Sequence, residues 1–240
     1  LAKITGMLIP DNEEPKIKIV KYLDERVLET PTIALSLVSK EVIHMIETAS
    51  KMNMKLKERI VDGNKALSKK INENESTINI LQEDIISFLV NLEQGLSSKE
   101  DLELTNVHFK LVERLERMGD HITTLLFHYE KLESYNEDLP KGCIEDYLSI
   151  NKVLQAMFNS ILGGLHEASE HSIKIAEQDV KYLFCDIETV VEQIRERQID
   201  KVRKKEILPK VNAQYMEIIN HMERAGEHLF KISPEIHKLV

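Results

Sequence analysis

The chain has 240 residues, of which 42% are hydrophobic, 30% charged and 5% aromatic, with no Trp. That balance suits folded amphipathic helices rather than disorder, and it leaves the core to Leu, Ile, Val and Met. The net charge of −9, with acids interleaved among bases, offers no clustered basic face and so excludes nucleic acid as a partner.

Leu1–Pro10 is a short apolar stretch interrupted by Lys3, and Asp11–Lys21 reads as a polar linker. No signal peptide and no apolar run of membrane-spanning length is present. Thr30-Pro31 is a helix start, with Thr as N-cap and Pro at the first helical position. Apolar residues then recur at Leu35, Val38, Val42, Met45, Ala49, Met52 and Leu56, a helical stripe that should end near Asp62-Gly63-Asn64. A second stripe runs through Leu67, Ile71, Ile78, Leu81, Ile85, Phe88 and Leu92, with Gly95 suited to its C-terminal cap. Ser97-Ser98-Lys99-Glu100 reads as a capping box that opens a third helix, with Leu102, Phe109, Val112, Leu115, Ile122, Leu126 and Tyr129 inward. Ser134–Gly142 is rich in turn formers and is the expected boundary between two units. Three more helices are expected: Ile144–Ile175, loosened at Gly163-Gly164; Glu177–Lys205; and one that opens at Pro209 and ends before Ser233-Pro234. Strand-like alternation is confined to Lys16–Val20. Cys143 and Cys185 are too few and too far apart for a disulfide framework or a Cys-rich zinc site, and they fit a reducing compartment.

One string occurs twice. Glu116-Arg117-Met118-Gly119-Asp120-His121 lies in the third helix and Glu223-Arg224-Ala225-Gly226-Glu227-His228 in the sixth. The acids of each copy are four residues apart and therefore share one helical face, one turn apart. The glycine lies on another face and costs about 1 kcal/mol in helix propensity, and close approach of a neighbouring helix or a site are the two candidate reasons for it. The fold class that follows is all-α: six long helices in two tandem three-helix-bundle repeats, residues 31–135 and 143–236, after a linker over 1–30.

These residues resemble the PhoU family, six-helix proteins of two repeats whose third helix in each repeat carries such a string. A second stretch, Tyr22–Leu35, reading Tyr-Leu-Asp-Glu-Arg-Val-Leu-Glu-Thr-Pro-Thr-Ile-Ala-Leu, resembles the junction through which bacterial sodium/phosphate cotransporters join a membrane domain to a C-terminal PhoU-like domain. Arg195-Glu196-Arg197-Gln198-Ile199-Asp200 resembles the end of that group's middle helix. The resemblance spans Tyr22 to Ile232. It implies regulation of phosphate uptake without catalysis, at the cytoplasmic face of the cell membrane. The implied partner is a membrane domain in the same chain, with a homodimer or another protein as further possibilities. The resemblance also implies a transition-metal ion on the acidic faces, held by Glu116 and Asp120 in the first repeat and by Glu223 and Glu227 in the second. One turn further on stand Thr124 and Lys231, and Lys231 is placed to pair with Glu227 instead. Asp186 and Glu188 on the fifth helix are added candidate ligands. The competing reading of these acids is a solvated face of glutamate–arginine pairs.

His121 and His228 each fall one residue past an acid and are expected to meet a polar partner rather than a metal. His166-Glu167-Ala168-Ser169-Glu170-His171 has the wrong spacing for a zinc protease, which needs histidines at i and i+4. Glu41-Val42-Ile43-His44 matches half of a di-iron signature, but the second candidate, Glu217, has Asn220 in the histidine place. The preferred function is a non-catalytic cytosolic domain of a sodium-dependent phosphate transporter. The alternatives are a free-standing PhoU-like regulator and a helical metalloenzyme.

Overall fold

A computed structural model describes residues 19–96, 98–135 and 142–240. Among them are six long helices and no strand: α1 (Pro31–Val61), α2 (Ala66–Glu93), α3 (Lys99–Ser134), α4 (Cys143–Glu167), α5 (Glu170–Arg203) and α6 (Pro209–Ile232). A 3-10 turn, Glu25–Val27, precedes α1, and a 3-10 helix, Ser233–Leu239, follows α6. The expected fold class is the observed one. Leu1–Pro10 and Lys16–Lys18 lie outside the described residues; Ile19 and Val20 are in neither helix nor strand. No helix among the described residues is long and apolar enough to cross a membrane.

Helices α1–α3 pack together, as do α4–α6, and every residue of the α1 and α2 apolar stripes is buried. Pro31 starts α1 as its spacing predicts, but Thr30 makes no side-chain cap; its carbonyl accepts from the amides of Ile33 and Ala34 at 3.0 Å. Gly63, at φ +67°, ends α1 in a conformation that a side chain would strain. Ser98 caps α3, its hydroxyl accepting from the Asp101 amide, and Ser97 of the expected box lies outside the described residues.

The break between α4 and α5 differs most from expectation. It falls at Ala168-Ser169 rather than near Ile175. Ala168 takes a left-handed φ of 52°, and Ser169 and Ser172 form a reciprocal capping box that starts α5. Gly163 and Gly164 do not loosen α4. Gly164 is instead where the hairpin closes: a Cβ there would lie 3.0 Å from Ala176 Cβ and 3.2 Å from the Ser172 carbonyl. His166 and His171 consequently sit on different helices.

Two seams join the bundles: α3 against α6, and α1 against α4. The second carries a polar ladder. Asn151 donates to Asn53 Oδ1 (3.0 Å), Asn53 to Gln155 Oε1 (3.1 Å), and Gln155 to Ser50 Oγ (2.9 Å). The closing 3-10 helix buries Ile236 and Leu239 and touches α1, α3, α4, α5 and α6, so it spans both bundles.

At the other end of the chain, Ile19, Val20, Leu23, Val27 and Leu28 pack on the core. Glu41, fully buried, accepts the backbone amides of Lys21 and Tyr22, both at 2.5 Å, and contacts His44 Nδ1 at 3.3 Å. Burial opposes its charge, but the His44 contact and the two amides outweigh burial and hold the carboxyl below its ordinary range. The Glu41/His44 spacing therefore serves an anchor for the arm before α1.

His108, also fully buried, donates from Nδ1 to the Leu104 carbonyl (2.8 Å), which leaves Nε2 to accept the Ser39 hydroxyl (3.0 Å). Burial, only partly offset by the Leu104 bond, lowers its pKa. The unfolded chain then binds a proton that the folded one resists. The stability this group supports is full above about pH 6.5 and is lost as pH falls below it. Urea unfolding between pH 7 and 5 should show falling stability, with a shallower slope in His108→Gln; parallel curves for the two proteins would count against a neutral buried imidazole.

Candidate functional site

The two copies of the repeated string face each other. Helices α3 and α6 close their own bundles and pack on one another. This brings Glu116, Arg117, Asp120 and His121 to one wall of an open cleft of about 610 Å³, with Arg224, Glu227, His228 and Lys231 on the other. The glycines turn away, each against its own bundle. A Cβ on Gly119 would lie 3.3 Å from Ile78 Cδ1, and one on Gly226 2.9 Å from Ile187 Cδ1 and 3.4 Å from Leu154 and Phe184. Close packing therefore accounts for Gly226, and it is looser at Gly119, where one side-chain tip stands in the way. Gly226→Ala should lower stability by about 1 kcal/mol, since crowding of 1–3 kcal/mol exceeds the propensity gained. At Gly119 one flexible tip must yield, and the alanine variant should stay within about 0.5 kcal/mol of the parent because the two effects offset. Chemical denaturation of the pair checks the contrast, and equal losses would contradict it.

The acids expected to hold a metal are not equivalent. Glu223 receives Arg195, from Nη2 at 2.5 Å and Nη1 at 3.4 Å, so the Arg195–Asp200 string supplies the cation that occupies the motif acid. Glu227 receives Lys231 one turn on, as the spacing implied, and that bond holds its carboxyl below the usual range. Glu116 and Asp120 lie side by side, and burial together with the Asp120 charge raises the Glu116 carboxyl. Asp186 and Glu188 are exposed on α5 and do not line the cleft. Among the described residues, no three of these acids bring ligand atoms within 4.8 Å of one another. Cations thus sit on both second-repeat acids, whereas no ion pair to Glu116 or Asp120 is among those described.

Histidines fill the seam behind the cleft. His121 Nδ1 meets His221 Nδ1 at 3.0 Å, and the His121 ring lies 5.3 Å from that of His228. His221 in turn stacks on His128, with ring centroids 5.7 Å apart. The polar partner expected for His121 is thus another imidazole, while Nδ1 of His228 is buried without a hydrogen bond. Burial and the neighbouring His221 and His228 depress His121 to about 4, and burial lowers His221 and His228 as well. Three groups do converge: His128, Glu217 and His221 place one ligand atom each within 4.8 Å of the others. Sequence reasoning weighed Glu217 only with Asn220 and missed His128 and His221. Glu217 and His221 are four residues apart, not the three of a di-iron motif, and His128 comes from the other repeat.

Residues 42–126 match the PhoU domain family. Over 84% of this chain and 94% of the other, the fold matches PhoU from Pseudomonas aeruginosa, with a TM-score of 0.73 at 18% identity. It also matches the phosphate transport system regulatory protein PhoU from Streptococcus pneumoniae, with a TM-score of 0.70 at 18% identity, over 88% and 96% of the two chains. No curated protein matches the chain. The first bundle thus carries a PhoU domain match, and the chain as a whole has the PhoU fold.

Proposed function

We propose that this chain is a non-catalytic regulator of phosphate uptake, and specifically the cytosolic domain of a sodium-dependent phosphate transporter. The observation that carries the regulatory reading is the PhoU domain match over residues 42–126, extended by the fold to both repeats. The solved relative from Streptococcus pneumoniae is itself described as a phosphate transport system regulatory protein. The attachment rests on the resemblance of Tyr22–Leu35 to a cotransporter junction. The anchoring of that arm supports it: Glu41 holds the backbone of Lys21 and Tyr22 against α1, so a membrane domain upstream would be coupled to the bundle through a fixed strap.

Phosphate uptake by cells carrying the gene, with and without an internal deletion of the bundle, tests the regulatory reading. The expected result is uptake that no longer adjusts to external phosphate. Identical adjustment in both strains overturns it. The reading frame upstream of Leu1 tests the attachment: encoded membrane helices support it, and an initiator Met directly before Leu1 defeats it.

A further inference from the structure

We propose that His128, Glu217 and His221 form a binding site for a borderline divalent transition cation, of which zinc is the probe of choice, across the seam between the two repeats. The proposal stands apart from the regulatory reading above and does not depend on it.

The donor set selects the ion. Two imidazoles and one carboxylate suit zinc, cobalt or ferrous iron, whereas magnesium and calcium prefer an all-oxygen shell. Glu217 and His221 lie one turn apart on the same face of α6, and α3 brings His128 to meet them. Their ligand atoms already lie within 4.8 Å of one another. Tetrahedral zinc needs separations of about 3.4 Å, and rotation of the exposed Glu217 side chain supplies most of that closure.

The surroundings prepare the imidazoles. Gln214 Oε1 is 2.8 Å from His128 Nδ1. A carbonyl oxygen only accepts, so Nδ1 carries the proton and the Nε2 lone pair is left for a metal. His221 Nδ1 meets His121 Nδ1 at 3.0 Å, and with His221 as the donor of that bond its Nε2 lone pair is left for a metal as well. Such outer contacts fix the tautomer and orientation of ligating histidines. Glu217 has no Lys or Arg partner among the described ion pairs, unlike Glu223 and Glu227, whose partners are Arg195 and Lys231. Internal cations thus occupy the second-repeat acids Glu223 and Glu227, while the trio about two turns away has none among the described ion pairs.

With three protein ligands, at least one coordination position stays open to water or to a donor from outside. The ligands come from α3 of the first repeat and α6 of the second, so the bound ion would cross-link the two closing helices.

The test uses the tag-free 240-residue chain and zinc alone. Calorimetry should give one site per chain. The expected loss of affinity is at least about 100-fold in His128→Gln and His221→Gln, and about tenfold in Gln214→Ala, where only the orienting bond is removed. Glu116→Gln combined with Asp120→Asn should leave the affinity unchanged. X-ray absorption at the zinc edge of the unmodified chain should show two imidazole ligands, which keeps the proposal testable should a histidine variant fail to fold. Absence of stoichiometric binding, an oxygen-only shell, or loss of binding in the Glu116/Asp120 variant instead of the histidine variants would each overturn it.

Discussion

Arg59→Ala should lower the unfolding free energy by about 3 kcal/mol, in the range for breaking a buried ion pair. For a chain of this size that corresponds to a fall of roughly 6–12 °C in Tm. Arg59 is 1% exposed, near the C-terminal end of α1. Its guanidinium makes a two-pronged pair with Glu133 of α3, donates from Nε to Ser68 of α2 at 3.0 Å, and lies over the Tyr129 ring at 5.2 Å. One side chain therefore ties all three helices of the first bundle at one end. Alanine removes the apolar stem, opens space and strips Glu133 of its partner. Because Glu133 keeps some contact with water, the loss should stay at the lower end of the range. The double variant Arg59→Met/Glu133→Leu should recover most of the loss, since apolar replacement of both partners removes the stranded charge. Thermal and urea unfolding of the two variants decide the matter; an alanine variant as stable as the parent would show that the pair contributes nothing.

Adjacent glycines should respond with opposite signs. At Gly163 an added Cβ meets nothing within 4 Å, so alanine should stabilise by about 1 kcal/mol through helix propensity alone. At Gly164 the obstacles are Ala176 Cβ at 3.0 Å, the Ser172 carbonyl at 3.2 Å and Ile173 Cα at 3.5 Å. None of these is the free end of a side chain, so relief requires α4 and α5 to move apart. The Gly164 carbonyl also accepts from the Ala168 amide at 3.1 Å and the Ser172 hydroxyl at 3.3 Å, and separation weakens the latter. Gly164→Ala should cost about 2 kcal/mol net, crowding at the upper end of its range less the propensity gained. Denaturation midpoints that shift the same way for both variants would refute the close-approach argument.

What could be read from the residues follows from what periodicity reports. The stripes from Leu35 to Leu56 and from Leu67 to Leu92 record burial of one face, and all of those residues are buried. The α4–α5 break was harder because no Gly or Pro marks it. Its signal is the Ser169/Ser172 pair, which lies inside an otherwise unbroken apolar pattern, and the residue that turns the chain is an alanine. The repeated string pointed to the right helices but only part of the chemistry. Spacing shows that Glu223 and Glu227 share a face; it does not show that Arg195, a helix away, reaches Glu223. The cluster of His121, His128, His221 and His228 is the product of α3 meeting α6, a contact between repeats that no local pattern encodes.

The buried carboxylate of Glu41 also decides where mechanical load enters the bundle. It grips the main chain at Lys21 and Tyr22 from a point ten residues inside α1. A tug on the polypeptide ahead of Lys21 is therefore delivered to the flank of a rod about 46 Å long, at 1.5 Å per residue, and not to its tip. Applied off-end, that force exerts torque and tilts the rod against its neighbours, including α4 across the polar ladder, before it can unwind the first turn.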